Sequence, residues 1–219
     1  MSVTTARRAV AATGLFALGF NACAVDLLPR AGAQVAWYQI EAPPGDTDTV
    51  VAGPTLGLTV AGDRLFADFN FEALPVDLPG RSGAFVSGWR SEAAATLGMR
   101  VHEGVLLIAG YRTALYGERF GRGSLADNSG PFVGVHFPEL RLGSSNRDIL
   151  SLSVAIQRTT LTDKLSGAEE RADTGVNIRL GYRRAGSPHS FGVRYQSFGS
   201  PSYQEYLTTL QYAYVFGSF

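Results

Sequence analysis

The chain has 219 residues, 45% hydrophobic and 11% aromatic, and its 19 basic and 19 acidic side chains cancel to zero net charge. That length suffices for one domain with a sizeable core, and the charge balance excludes a nucleic-acid footprint or a strongly charged partner. A mean hydropathy near zero excludes both a helical membrane protein and a disordered chain.

The first residues read as an export signal. "MSVTTARR" closes on Arg7 and Arg8, 12 uncharged residues run from Ala9 to Phe20, and small residues stand at Ala22 and Ala24. This is the order of a secretory signal peptide, and its apolar run is too short to cross a bilayer as a helix. Removal of residues 1–24 is expected, leaving 25–219 as a single domain, with Ala33 as a second cleavage position. Cys23 is the only cysteine, so no internal disulfide forms.

Beyond the signal the hydrophobic period is two. Ten strands are expected, at 33–41, 50–60, 64–73, 87–100, 104–116, 131–140, 148–159, 174–184, 189–198 and 205–216. Eight strands is the alternative count. In "DRLFADFNFEA", Leu65, Ala67, Phe69, Phe71 and Ala73 share one face, and Arg64, Asp68, Asn70 and Glu72 the other, where Phe66 is the exception. "WRSEAAATLGMRV" sets Trp89, Leu97, Met99 and Val101 against Arg90, Glu92 and Arg100. Arg112 falls on the polar face of the next strand. "TGVNIRLGYRR" sets Val176, Ile178, Leu180 and Tyr182 against Arg179 and Arg183, and "SFGVRYQS" sets Phe191, Val193 and Tyr195 against Arg194. Short connections are expected near 61–63, 101–103, 141–147 and 184–189. Longer, turn-rich ones are expected at 42–49, 74–86, 117–130 and 160–173, with a brief one at 199–204.

Alternation alone does not say which face meets water. In a soluble sheet the apolar face points to a core; in a membrane barrel it meets lipid and the polar face lines the interior. Three features favour the barrel. Arg64, Asp68, Glu72, Arg90, Glu92, Arg100, Arg112, Arg179, Arg183 and Arg194 all fall on the polar face, where a lumen of paired charges holds them. The connections alternate in length, with both termini on the short side. Trp37 and Trp89 fall near one end of their strands, and Tyr182, Phe191, Tyr214 and Phe216 near the other, as two aromatic girdles do. A sheet in lipid must also close, because every backbone group needs a partner there.

The chain ends "EYLTTLQYAYVFGSF", with Leu210, Tyr212, Tyr214 and Phe216 at alternate positions and Phe219 last. This segment resembles the C-terminal strand of Gram-negative outer-membrane β-barrel proteins, which close on an aromatic residue. The resemblance implies an all-β, closed antiparallel transmembrane barrel in the bacterial outer membrane. Its implied partners are outer-membrane lipid, lipopolysaccharide and the barrel-assembly machinery. Phe219 departs from the pattern, because the alternation ends at Phe216 and Gly217 follows.

Little in the sequence points to covalent chemistry. No His/Cys/Asp/Glu group has metal-ligand spacing and no nucleotide motif is present, so neither metal nor cofactor is expected. Omptin proteases are ten-stranded barrels, but their paired Asp–Asp and Asp–His do not occur at strand ends here. "RYQSFGSPSYQEYLTTLQYAYVF" resembles the late strands of lipid A deacylases in layout. Ser197 stands where that family has its His, and Gly199 where it has its nucleophilic Ser, so activity there needs a His from another strand, such as His136. Phe66, Leu106, Ile108, Tyr116 and Phe132 fall on the interior face and favour a filled lumen over a pore. The expected role is non-enzymatic: structural, adhesive or narrow transport through an Arg-rich lumen. The alternatives are a lipid A deacylase-like enzyme and a secreted soluble β-protein.

Overall fold

The computed structural model describes residues 26–42, 45–79, 85–118, 124–142, 147–163, 169–200 and 203–217. The expected signal segment and Phe219 lie outside them. Ten strands are present: β1 (Asp26–Ala42), β2 (Gly45–Ala61), β3 (Leu65–Pro79), β4 (Phe85–His102), β5 (Val105–Glu118), β6 (Ser124–Leu142), β7 (Asp148–Asp163), β8 (Glu169–Arg184), β9 (His189–Ser200) and β10 (Tyr203–Val215). Each pairs antiparallel with the next, and β10 pairs with β1, so the sheet is a closed barrel. The seam aligns Val35 with Leu210 and Ala31 with Tyr214. Closure leaves no sheet edge, which lipid requires.

The pleat carries the alternation around the whole barrel. Outward rows run from strand to strand, such as Leu152–Leu180–Val193–Leu210–Val35. Leu56, Phe71, Leu97, Leu107, Val133 and Ile156 also face outward and are exposed. Trp37 and Trp89 lie at one rim of this apolar belt. Tyr182, Phe191, Tyr212, Tyr214 and Phe216 cluster at the other, with Tyr214 and Phe216 ring centres 4.9 Å apart. The fold is that of an outer-membrane β-barrel.

Among the described residues, the connections expected to be long are instead strand. The ladder runs through "GDTDT" to the Ala42–Gly45 pair and through "LPVDLP" to the Pro79–Phe85 pair. Once a hairpin is paired in register, each further pair adds hydrogen bonds without new loop closure, so polar, Pro-containing text continues the sheet. β1 spans 17 residues; at about 3.3 Å per residue and a tilt of about 40° it rises about 43 Å, well beyond an apolar band of about 25 Å. The excess lies mainly on the side away from the termini. There the outward residues become Gln39, Glu41, Asp46, Asp48, Asp77 and Ser87, paired across neighbouring strands. The Trp37 indole N–H donates to Asp48 at this boundary.

Above the belt the two faces exchange chemistry while the phase of alternation is kept. Tyr38, Ile40, Leu74, Val76, Ala114, Tyr116 and Leu207 point inward and pack into a buried apolar cluster. Acids and amides point outward at the same level. The arms thus follow the rule of a soluble sheet, and the membrane segment follows its inverse.

Candidate functional site: the lumen

The interior divides into three levels. Uppermost is the apolar cluster just described. Beneath it lies a buried ion cluster. Below that, a cavity of about 380 Å³ opens among Ala61, Gly62, Asp63, Arg64 and Pro138, on the side of the short turns and the termini.

The ion cluster consists of three carboxylates and three guanidiniums, Glu72, Glu92, Glu205, Arg90, Arg112 and Arg194, each at most 5% exposed. Arg90 sits at its centre, with its Nε 2.7 Å from Glu205, Nη2 2.6 Å from Glu92 and Nη1 3.4 Å from Glu72. Arg194 lies 2.5 Å from Glu72 and 3.5 Å from Glu92, and Arg112 3.2 Å from Glu92. The guanidinium of Arg112 also lies 4.4 Å above the Phe198 ring. Glu205 is fully buried, and its Oε2 accepts hydrogen bonds from Tyr116 and Tyr203, both at 2.6 Å, and from Tyr38 at 3.1 Å. A buried charge is tolerable only when it is paired and its remaining lone pairs are satisfied. The three tyrosines supply those bonds from β1, β5 and β10, so the cluster ties together strands on several sides of the barrel.

The cavity has two unlike walls. Phe66, Leu106, Ile108, Phe132 and Ala155, from β3, β5, β6 and β7, form an apolar wall. Arg30, Arg179 and Arg194, from β1, β8 and β9, form a basic one. Arg30 is paired with Asp68 at 2.8 Å and donates further bonds to Thr59 and Asn70. His136 Nδ1 lies 2.6 Å from Ser153 Oγ, a cross-strand pair inside the lumen. Among the described residues no group of three or more His, Cys, Asp or Glu side chains has the arrangement of a metal site.

Of the charged residues expected in the lumen, Glu72, Arg90, Glu92, Arg112 and Arg194 come together in the ion cluster, and Asp68 and Arg179 line the cavity. Three differ. β3 starts at Leu65, so Arg64 lies in the preceding turn, exposed at the cavity mouth. Arg100 is exposed at the same mouth, where a bulge between Arg100 and His102 shifts the register before the last β4–β5 pair, His102 with Val105. Arg183 sits at the short-turn rim, 3.0 Å from Glu139 and partly solvated. These three lie beyond the belt, where the lumen meets water. In the terminal strand Leu210, Tyr212 and Tyr214 face outward; β10 ends at Val215, and Phe216 is tied to β1 by its backbone N–H donating to Pro29 O at 2.7 Å.

Two charged residues of the lumen site were not singled out in the sequence, Arg30 and Glu205. Glu205 shares the phase of Gln211 on β10, so extending that alternation inward finds it. Arg30 precedes the expected start of β1 and follows Pro29, and nothing before it alternates clearly. The serine route is not assembled. Ser197 pairs with Val176 on the outward face, whereas His136 points into the lumen, so the barrel wall separates them. Ser200 is buried at the far end of β9, next to the connection away from the cavity.

No family model matches the chain, and no curated protein matches it. Solved structures of similar shape include the translocator domain of the autotransporter NalP from Neisseria meningitidis, at 16% identity over 97% of this chain and 97% of that one, with a TM-score of 0.49. The β domain of the Bordetella autotransporter BrkA is 12% identical over 85% of this chain and 98% of that one, TM-score 0.48. Ail, the attachment invasion locus protein of Yersinia pestis, is 10% identical over 87% of this chain and 99% of that one, TM-score 0.38. The barrel assignment rests on the strand pairing and the exposed apolar belt, and these likenesses add nothing about ligand or activity.

Proposed function

We propose that the protein is a non-conducting barrel of the outer membrane, with a structural or adhesive role carried by the paired arms that rise beyond the lipid. The observation that carries this reading is the double closure of the lumen. A neutral cluster of three Glu and three Arg, fixed by three tyrosine hydroxyls, lies under a buried apolar cluster. A barrel of about eight strands is just filled by its side chains, and ten strands stay near that limit. By the usual orientation of such barrels, the termini and short turns face the periplasm and the arms face outward. The lower cavity is then a blind vestibule on the periplasmic side.

Conductance across a planar lipid bilayer tests this. Wild-type protein is expected to give no stable single-channel steps. A variant in which Tyr38, Tyr116 and Leu207 are all replaced by Ala is expected to conduct, because it removes the bulk above the ion cluster. Steady, anion-selective steps from the wild type would refute the reading and favour narrow transport through the Arg-rich lumen.

A further inference from the structure

We propose that the periplasmic vestibule binds a single-chain amphiphile with a carboxylate head, the head on Arg179 and the tail against Phe66, Leu106, Ile108 and Phe132. The proposal rests on the closed-lumen reading, since a through-channel has no blind end to hold a tail.

Charge balance supplies the first argument. The ion cluster neutralises itself, three against three, and Arg30 is neutralised by Asp68. Arg179 is left. It lines the cavity, and among the described residues no hydrogen bond or ion pair reaches it. Its neighbours make this worse. Arg179 stands directly opposite Arg194 in the β8–β9 ladder, and Arg30 is a further cation acting on it. Like charges in directly opposed positions are destabilising. Arg194 has Glu72 and Glu92 within 3.5 Å, whereas the carboxylates that act on Arg179 from farther off, Asp68 and Glu72, are already paired with Arg30 and Arg194. Arg64 and Arg100 stand exposed to water at the mouth, so within the buried lumen one bound negative charge would complete the balance.

Geometry supplies the second argument. His136, Ser153 and Arg179 occupy one level on three adjacent strands, paired His136 to Ser153 and Ser153 to Arg179. A planar fork beside a hydroxyl suits a carboxylate, which Arg binds through two parallel bonds. A single unneutralised Arg matches a monoanion; a phosphate monoester carries about −1.5 to −2 at neutral pH and overshoots. The apolar wall adjoins this row, with Leu106 paired to His136 and the Phe66 ring centre 5.8 Å from that of His136, and a small inorganic anion has no need of it. The volume, about 380 Å³, lies within the range of roughly 300–1,000 Å³ typical of small-molecule sites.

The test uses full-length mature protein in phosphatidylcholine nanodiscs, titrated with octanoate by calorimetry. Acetate, octyltrimethylammonium and octyl phosphate are the comparison probes. Saturable one-to-one octanoate binding is expected, weakened at least tenfold by Arg179→Gln and severalfold by Phe132→Ser. A heat-dependent gel shift of each variant checks that its barrel is closed; if Arg179→Gln does not fold, Arg179→Met takes its place. Octanoate binding unchanged by loss of Arg179, or matched by octyltrimethylammonium, would mean partition into lipid and overturn the proposal. Acetate binding as tightly as octanoate would remove the tail site, and tighter octyl phosphate would remove the carboxylate assignment. Conductance of the same preparation separates the two readings. A conducting barrel that still binds octanoate counts against the plug alone, and a silent barrel that binds nothing counts against the vestibule alone.

Discussion

Replacing Glu205 by Gln changes one oxygen to nitrogen and leaves the volume of the side chain intact, so it isolates the charge. In the native barrel Glu205 accepts from the Nε of Arg90 at 2.7 Å and from three tyrosine hydroxyls between 2.6 and 3.1 Å. Gln offers one oxygen for these four donors, and its amide nitrogen presents hydrogens to whichever donors lose their acceptor. Arg90 keeps Glu92 at 2.6 Å and a longer contact to Glu72 at 3.4 Å, so it is not orphaned, but the cluster goes from neutral to one net positive charge. Breaking a buried ion pair by removing one partner costs about 3–5 kcal/mol. With a urea dependence of about 1–3 kcal/mol per molar, the unfolding midpoint should fall by at least about 1 M. Equilibrium urea unfolding in lipid vesicles, followed by tryptophan emission and by the heat-dependent gel shift, reads this directly. A midpoint within about 0.3 M of wild type would mean that the tyrosine cage does not depend on the carboxylate charge, and the account of the ion cluster would fail.

Other outcomes follow from the same geometry. Arg183→Gln breaks a half-solvated pair with Glu139 and should cost under about 1 kcal/mol in the same urea assay. Leu180→Arg places a charge on the lipid face, 42% exposed and flanked by Leu152 and Val193, and should cost about 2–4 kcal/mol and reduce the heat-shifted fraction after refolding. Gly32→Ala should block closure at the β1–β10 seam. An added Cβ would lie 1.9 Å from the carbonyl oxygen of Tyr212, which is backbone and cannot swing away, so no heat-shifted band is expected. Gly45→Ala, with nothing within 4 Å of its added Cβ, should refold like wild type.

Most of the barrel was legible because lipid enforces a period of two, and that constraint is written in Leu65 to Ala73, Phe66 excepted, and in Val176 to Tyr182. Strand ends were not legible. Above the belt the outward residues become Asp46, Asp48 and Asp77, the same residue types that make turns, and only the ladder shows that they are paired. The site was half legible. Alternation identifies which residues enter the lumen, as it did for Arg90, Glu92 and Arg194, but not at what height each strand presents them. The grouping of Glu205 with Tyr38, Tyr116 and Tyr203 depends on the stagger between β1, β5 and β10, and Tyr38 and Glu205 are 167 residues apart. Likewise, that among the described residues Arg179 has no ion pair while Arg194 has two is a fact of register, not of residue type.

The exchange of faces between belt and arms bears on how the strands find their alignment. Sliding β5 by a single residue would turn Arg112 toward lipid and, in the same step, Ala114 and Tyr116 out of the buried cluster above it. Both ends of the molecule therefore veto the same error, one through the bilayer and one through the solvent. The irregularities in pairing respect this. They fall between Arg100 and His102 and between Phe137 and Leu140 on the turn side, and between Tyr116 and Gly117 and between Arg158 and Thr160 toward the arms. None interrupts the middle of the belt. An extra residue is thus absorbed near either rim, where the sheet has already learned to tolerate one, whereas the same insertion beside Leu97 or Leu180 would leave no register that both surroundings accept.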